Sequence, residues 1–341
     1  MSDIKLNVEL LKSRVPNLTV SAAAAGLRPA TVSNLCTGKI PLSRAEVKTL
    51  VALADLAECT VDELIIRGNA PEMFETGIKV IDLFAPLTLG GIIGFVARPG
   101  MGQLVVLAEI FHRMNKSGWE TFFVQPKVEA VGIEDVLGEV KHLCHSTEDA
   151  FEKILPLSKQ KIMLAADRQT VLTGEIYTLI EKLQESGINV TTLLVDLSGE
   201  AVDETDPYGP LDTLWQFDAD LASRRIFPAI NPLYSTSVLI EGSHLPKNHQ
   251  QILLDAKKVL RRYRELRFLG IDRMPVSETE IFHRGQRLEA YFSQPFFVAE
   301  PFTKQQGVSV DLQTTITDVQ RILKGEFDQA EVVELSYIGK L

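Results

Sequence analysis

Cysteine is scarce in this 341-residue chain: Cys36, Cys59 and Cys144 stand far apart. Three scattered thiols make neither a disulfide framework nor a zinc ligand set, so a reducing compartment, the cytoplasm, is expected. Long apolar runs are missing too. No stretch approaches the roughly 20 apolar residues of a membrane helix. Met1-Ser2-Asp3-Ile4-Lys5 lacks the basic-then-apolar pattern of a secretion signal, so no membrane insertion is expected. Lys141-His142-Leu143-Cys144-His145 has the residue types of a metal site, but no second ligand pair stands nearby, and it reads as the end of an amphipathic helix. With 45% hydrophobic and 23% charged residues the composition is that of a soluble globular protein, long enough for two domains.

The most consequential absence lies in a glycine loop. Gly94-Phe95-Val96-Ala97-Arg98-Pro99-Gly100-Met101-Gly102-Gln103-Leu104 follows an apolar strand, Ile92–Val96, and opens an apolar helix, Gln103–Met114. That is the setting of the phosphate-binding motif G-x-x-x-x-G-K-[ST]. There, backbone N–H groups cradle phosphates, the Lys reaches them, and the hydroxyl holds Mg²⁺. Gly100 and Gly102 keep the turn, but Gln103 replaces the Lys and Leu104 the hydroxyl residue. The scaffold of a nucleotide-hydrolysing enzyme is present without the residues of its chemistry.

Charge divides the chain. Residues 1–69 carry 8 Lys/Arg and 7 Asp/Glu, leaving 27 and 38 for the remainder, within a net charge of −10. Arg28, Lys39, Arg44 and Lys48 locally outweigh Glu46, which is weak support for a polyanion contact by the head alone. The head is expected to be a small all-α domain of five short helices. The first covers Leu6–Ser13, the second Thr19–Ala25, stopped by Gly26, and the third starts at Pro29 and is stopped by Gly38. Ser43–Glu46 and Thr60–Glu63 read as capping boxes that start the last two. Ala22–Ala25 and Leu35 read as core.

The run from Leu18 to Ile65 resembles the Cro/λ-repressor type of helix-turn-helix domain, and the likeness covers nearly all of residues 6–67. It implies a recognition helix at Pro29–Thr37, with Arg28, Thr31, Ser33, Asn34 and Lys39 near bases or phosphates. A helical docking domain of the same fold that contacts protein instead of DNA is the alternative.

Beyond residue 70 the pattern alternates. Strands are expected at Ile92–Val96, Thr121–Gln125, Lys161–Ala165 and Val190–Val195, and helices at Gln103–Met114, Ile133–Leu143 and Thr173–Glu185. This rhythm predicts an α/β fold with a mostly parallel sheet. Helices at Asn248–Leu269, Glu278–Phe292 (entered by a capping box at Ser277–Glu280) and Leu312–Lys324 follow. The expected division is 1–69, 70–245 and 246–341.

The segments ETGIKVIDLFAPLTLGGIIGF, LASRRIFPAINPLYSTS, YFSQPFFVAEPFT and ILKGEFDQ closely resemble, in order, the catalytic beta subunit of rotary ATP synthases. The resemblance runs from Glu75 to the C-terminus. It implies a RecA-like nucleotide-binding domain and a helical C-terminal domain. It also implies that Phe227 and Phe302 match the two aromatic positions flanking adenine, and that Asp196 is the strand-end aspartate of the Mg²⁺ site. The chain departs from the family at several points. The head stands where the family has a β-barrel, and Gln125-Pro126-Lys127 stands where the family has its catalytic Glu. The segment after Asp196 is shortened to Leu197–Leu211. Val238 replaces an Arg, and the rotor-contacting loop at Asp272 is only partly acidic.

These departures predict a chain that does not hydrolyse nucleotide, with no catalytic residue or metal and at most weakly bound ATP or ADP. The degenerate site comprises Gly100, Gly102, Gln103, Leu104, Asp196, Phe227 and Phe302. Asp196 is equally an ordinary strand-end carboxylate, and the two aromatics equally core. DNA is the expected partner, with a homodimer or a protein partner also open. The expected function is that of a DNA-binding regulator. The alternatives are a non-catalytic rotary ATPase subunit and a structural or partner-docking protein.

Overall fold

A computed structural model describes residues 3–15, 18–37, 39–68, 71–125, 132–197, 210–242, 244–269 and 275–341. The chain forms two compact units, Met1–Pro71 and Glu72–Leu341.

The first unit runs β1 (Asp3–Leu6), α1 (Val8–Arg14), α2 (Leu18–Ala24), α3 (Pro29–Cys36), α4 (Val47–Leu56), α5 (Val61–Leu64) and β2 (Ile65–Gly68). It is not all-α: β1 and β2 pair antiparallel, Leu6 opposite Ile65. Leu6, expected in the first helix, ends a strand because Asn7 is the cap of α1. The Asn7 side chain accepts the Leu10 N–H at 3.1 Å, and a cap residue has non-helical backbone. Between α2 and α3 the chain turns through Gly26 at φ +76°. The Leu27 N–H reaches back to Ala22 O and the Gly26 N–H to Ala23 O, the pair of hydrogen bonds that closes a helix on a left-handed residue.

Pro29 opens α3, which buries Val32 and Leu35 one turn apart. Of the expected alanine core only Ala22 is buried; Ala23, Ala24 and Ala25 face solvent. The capping box at Thr60 and Glu63 forms. The one expected at Ser43 does not: residues 42–44 make a 3₁₀ turn, and α4 begins after Glu46 with no side-chain cap. Gly38 lies outside the described residues.

The second unit opens with β3 (Met73–Phe74), α6 (Lys79–Phe84) and β4 (Leu87–Thr88), where β3 and β4 form a small antiparallel pair. Then come β5 (Ile92–Val96), α7 (Gln103–Lys116), β6 (Glu120–Val124), α8 (Ile133–Glu139), β7 (His142–Cys144), α9 (Thr147–Ile154), β8 (Ile162–Asp167), α10 (Arg168–Leu172), α11 (Glu175–Glu185) and β9 (Val190–Val195). β10 (Thr213–Gln216), α12 (Ala219–Ser223), β11 (Thr236–Ser237), α13 (Val238–Glu241), α14 (Lys247–Leu269), α15 (Thr279–Phe292), α16 (Glu300–Thr303) and α17 (Leu312–Leu323) complete it. The seven-stranded sheet has the order β11-β10-β5-β9-β8-β6-β7, parallel except for β11. The mostly parallel sheet expected from the βαβ rhythm is present, and β8 and β9 are buried at every residue, as strands covered on both faces must be.

Two local readings fail and a third shifts its start. The helix expected through Leu143 stops at Glu139, and His142–Cys144 is an edge strand, with Cys144 buried and His142 stacked on Phe122. Lys141 and His142 pair with Glu120 at 2.9 and 2.7 Å, so their polar heads serve the sheet edge. The helix expected at Thr173–Glu185 is present but starts at Glu175, after Gly174 at φ +78°, and a separate short helix, α10, precedes it. At Ser277 a 3₁₀ turn takes the place of the capping box, and the Glu278 carboxylate instead receives Arg262 at 3.0 Å.

The helices after residue 246 share one apolar cluster with the sheet: Phe95 and Leu107 belong to it together with Ile252, Leu260, Leu288 and Val319. The change to purely helical pattern at residue 246 is therefore not the edge of a core.

Candidate functional site

The glycine loop spans Ala97–Gly102 at the carboxyl end of β5, where ligands bind in open α/β sheets. Gly100 and Gly102 hold φ of +83° and +85°, a region L side chains rarely enter. Arg98, Pro99 and Gly100 are exposed at its crest, whereas Met101 turns into the core. The first hydrogen bond of α7 runs from the Val106 N–H to Gly102 O at 3.0 Å. Strand, left-handed turn and helix thus follow one another in the order expected from the sequence.

The two side chains that follow the turn carry neither a charge nor a hydroxyl. Leu104, in the hydroxyl position, is buried in the main apolar cluster with Ala97 and Met101. Gln103, in the lysine position, is also buried. Helix α7 is anchored by Arg113, which bonds Glu109 at 2.7 Å and donates to the carbonyls of Thr76, Gly77 and Val308 at 3.2, 3.0 and 2.7 Å.

Asp196 follows β9, beside the loop, and is buried. Its Oδ2 faces Arg168 Nη1 at 3.8 Å, and that guanidinium is buried as well. Asp167 caps α10: its oxygens accept the N–H groups of Leu197 and Gln169 at 3.0 and 3.4 Å. Burial pushes the Asp167 carboxyl up, against those bonds. Mg²⁺, which the sequence resemblance implies, does not fit these residues. Leu104 offers it no oxygen and Asp196 already faces a fixed cation, so no metal-dependent step is derived.

Of the two aromatic candidates, Phe227 reaches the loop. A Cβ placed on Gly102 would lie 3.7 Å from its ring. The Phe227 N–H donates to the Tyr337 hydroxyl at 3.1 Å, and Phe227 O accepts the Gln294 N–H at 2.9 Å. Phe302, on α16, is 78% exposed. Pro126 and Lys127, at the position of the family's catalytic Glu, and the loop at Asp272 lie outside the described residues. Arg168 was not singled out from the sequence. The signal that could have found it is an Arg directly after an apolar strand that ends in Asp.

In the first unit α3 turns Val32 and Leu35 inward and leaves Ala30, Ser33 and Thr37 exposed, with Thr31 and Asn34 half-buried. Arg28, just before the helix, and Lys39, after it, are exposed. The five predicted contact residues thus cluster around one helix. Lys48 is not a free cation: it bonds Glu46 at 2.6 Å. That bond holds the Glu46 carboxyl below the usual range, with Arg28 adding to the effect.

No protein-family model matches the chain. Among solved structures it is similar to a unique ATP synthase subunit, NeqB, from Nanoarcheaum equitans, with a TM-score of 0.57 at 16% identity over 75% of this chain and 77% of that one. The chain has an ATP synthase-related fold. At that identity the likeness concerns fold alone, and the chemistry rests on the residues above.

Proposed function

We propose that this protein is a catalytically inactive relative of the rotary ATP synthase beta subunit joined to a helix-turn-helix head, acting as a DNA-binding regulator whose body binds nucleotide weakly. The observation that carries the reading is Leu104: the phosphate loop keeps its backbone while the residue at the metal position packs into the core. Phosphoryl transfer is nearly all positioning and charge stabilisation, so losing the Lys and the metal-holding hydroxyl removes most of what the site supplies. The exposed side of α3, with Arg28, Ser33 and Lys39 around it, supports DNA contact by the head.

Two measurements test the proposal. With Mg²⁺-ATP, phosphate release stays at the buffer rate; turnover near the usual enzyme range of about 1–10³ s⁻¹ sinks the inactive reading. In low salt the full chain retards duplex DNA, and complete lack of retardation turns the head into a protein-docking module. A second reading, a non-catalytic subunit of a rotary ATPase, is favoured by the likeness to an ATP synthase subunit. Co-purification with rotor and stator subunits in place of DNA supports it.

A further inference from the structure

The strand registers bring three strand ends abreast. Val195 of β9 pairs with Phe95 of β5 on one side and with Asp167 of β8 on the other. One residue on, Asp196 therefore stands between Val96, at the mouth of the glycine loop, and Arg168. Arg168 Nη1 and Asp196 Oδ2 are 3.8 Å apart, with side chains 8% and 1% exposed. Asp167 is engaged by the backbone of Leu197 and Gln169. A divalent ion at Asp196 would share this buried space with a guanidinium that never deprotonates, without the hydroxyl that Leu104 has replaced.

We propose that Arg168 is the resident cation of this site. Its guanidinium takes the place a divalent metal holds beside the strand-end carboxylate, excludes that metal, and leaves the loop to accept a phosphate-bearing anion without one. A planar guanidinium suits the task because its fixed fork of donors matches phosphate oxygens. The anion-binding half of this inference rests on the nucleotide reading above; the exclusion of metal does not.

The test uses the full chain and Mn²⁺ followed by electron paramagnetic resonance. Wild type leaves the free Mn²⁺ signal unchanged up to millimolar concentration. Arg168→Gln and Arg168→Ala each gain one site, and adding Asp196→Asn removes it again. The proposal is overturned if wild type binds Mn²⁺ at a site that Asp196→Asn abolishes. It is also overturned if both Arg168 variants, folded by circular dichroism and melting, gain no site. A second arm titrates ADP. Wild-type affinity is the same within about twofold in EDTA and in Mg²⁺, and Arg168→Gln weakens ADP binding in EDTA about tenfold or more, as expected for losing a charge-assisted hydrogen bond. Tightening of wild-type binding by Mg²⁺ of tenfold or more overturns the inference. No ADP binding in either condition removes the nucleotide reading and the anion role with it, while the Mn²⁺ arm still decides whether Arg168 excludes the metal.

Discussion

Leu104 sits in a packed apolar cluster, so restoring a hydroxyl there has a packing cost, whereas a Lys at the buried position of Gln103 needs a bound anion to offset the burial of its charge. Gln103→Lys is expected to tighten ADP binding about 10- to 150-fold, the range of one charge-assisted hydrogen bond, read by calorimetry. Adding Leu104→Thr removes buried methyl groups at about 2–4 kcal/mol and lowers the melting temperature by roughly 5–10 °C. Hydrolysis stays absent in both. Lys79 offers a different readout. It is fully buried over the Tyr291 ring at 4.1 Å, and its ammonium donates to Ile338 O at 2.8 Å. Burial lowers its pKa from 10.5 to about 7, with Asp318 opposing the shift. Between those two values the unfolded chain holds a proton the folded chain has released, so stability rises with pH across that window and is flat below it. Lys79→Met is expected to abolish this rise in chemical denaturation at a series of pH values; an unchanged slope assigns it to another group.

Helix α3 depends on the turn before it. Gly26 has open space around the position of a Cβ, so Gly26→Ala meets no clash and carries only the strain of φ +76°. The cost is about 1–2 kcal/mol. Amide exchange should therefore quicken across residues 3–68 and stay unchanged in the sheet; a slowdown or no change contradicts the left-handed turn. The same elements show what pattern reading sees. Where a helix has a strong local stop, as α3 has in Pro29 and α7 in its glycine loop, the start read from sequence is the start found. Where a short polar–apolar run serves either period, as at His142–Cys144, the choice falls to the sheet edge that needs a partner.

At the scale of the whole molecule, charge sets the terms. A body with 27 Lys/Arg against 38 Asp/Glu repels DNA at long range, and the head has few free cations once Lys48 is tied to Glu46. Binding is thus expected to be weak, with a shallow salt dependence of roughly −0.9 in the log–log slope per phosphate contact. Lys39→Ala should weaken all sequences alike, while Asn34→Ala should flatten preference at one base pair by about 1–3 kcal/mol. Filter binding over a salt series against randomised duplexes reads both. A uniform loss from Asn34→Ala denies α3 the reading role. Sedimentation is expected to show monomers or dimers, since helix-turn-helix heads commonly pair on adjacent half-sites; a stable hexamer of the chain alone contradicts this.

What the sequence determined by itself is local and periodic. The glycine loop between β5 and α7, the buried strands β8 and β9 and the apolar stripe of α7 follow from residue types at fixed spacing, because backbone sterics and side-chain periodicity act over a few residues. That Gln103 and Leu104 are neither a Lys nor a hydroxyl residue is legible the same way. Only the tertiary structure decided the rest. It joined β1 to β2 across sixty residues, and merged the late helices with the sheet into one core. It brought Phe227 to the loop and left Phe302 in solvent. It also set Arg168 against Asp196. Those are contacts between residues far apart in the chain, fixed by strand register and burial, and no local pattern encodes the register of one strand against another.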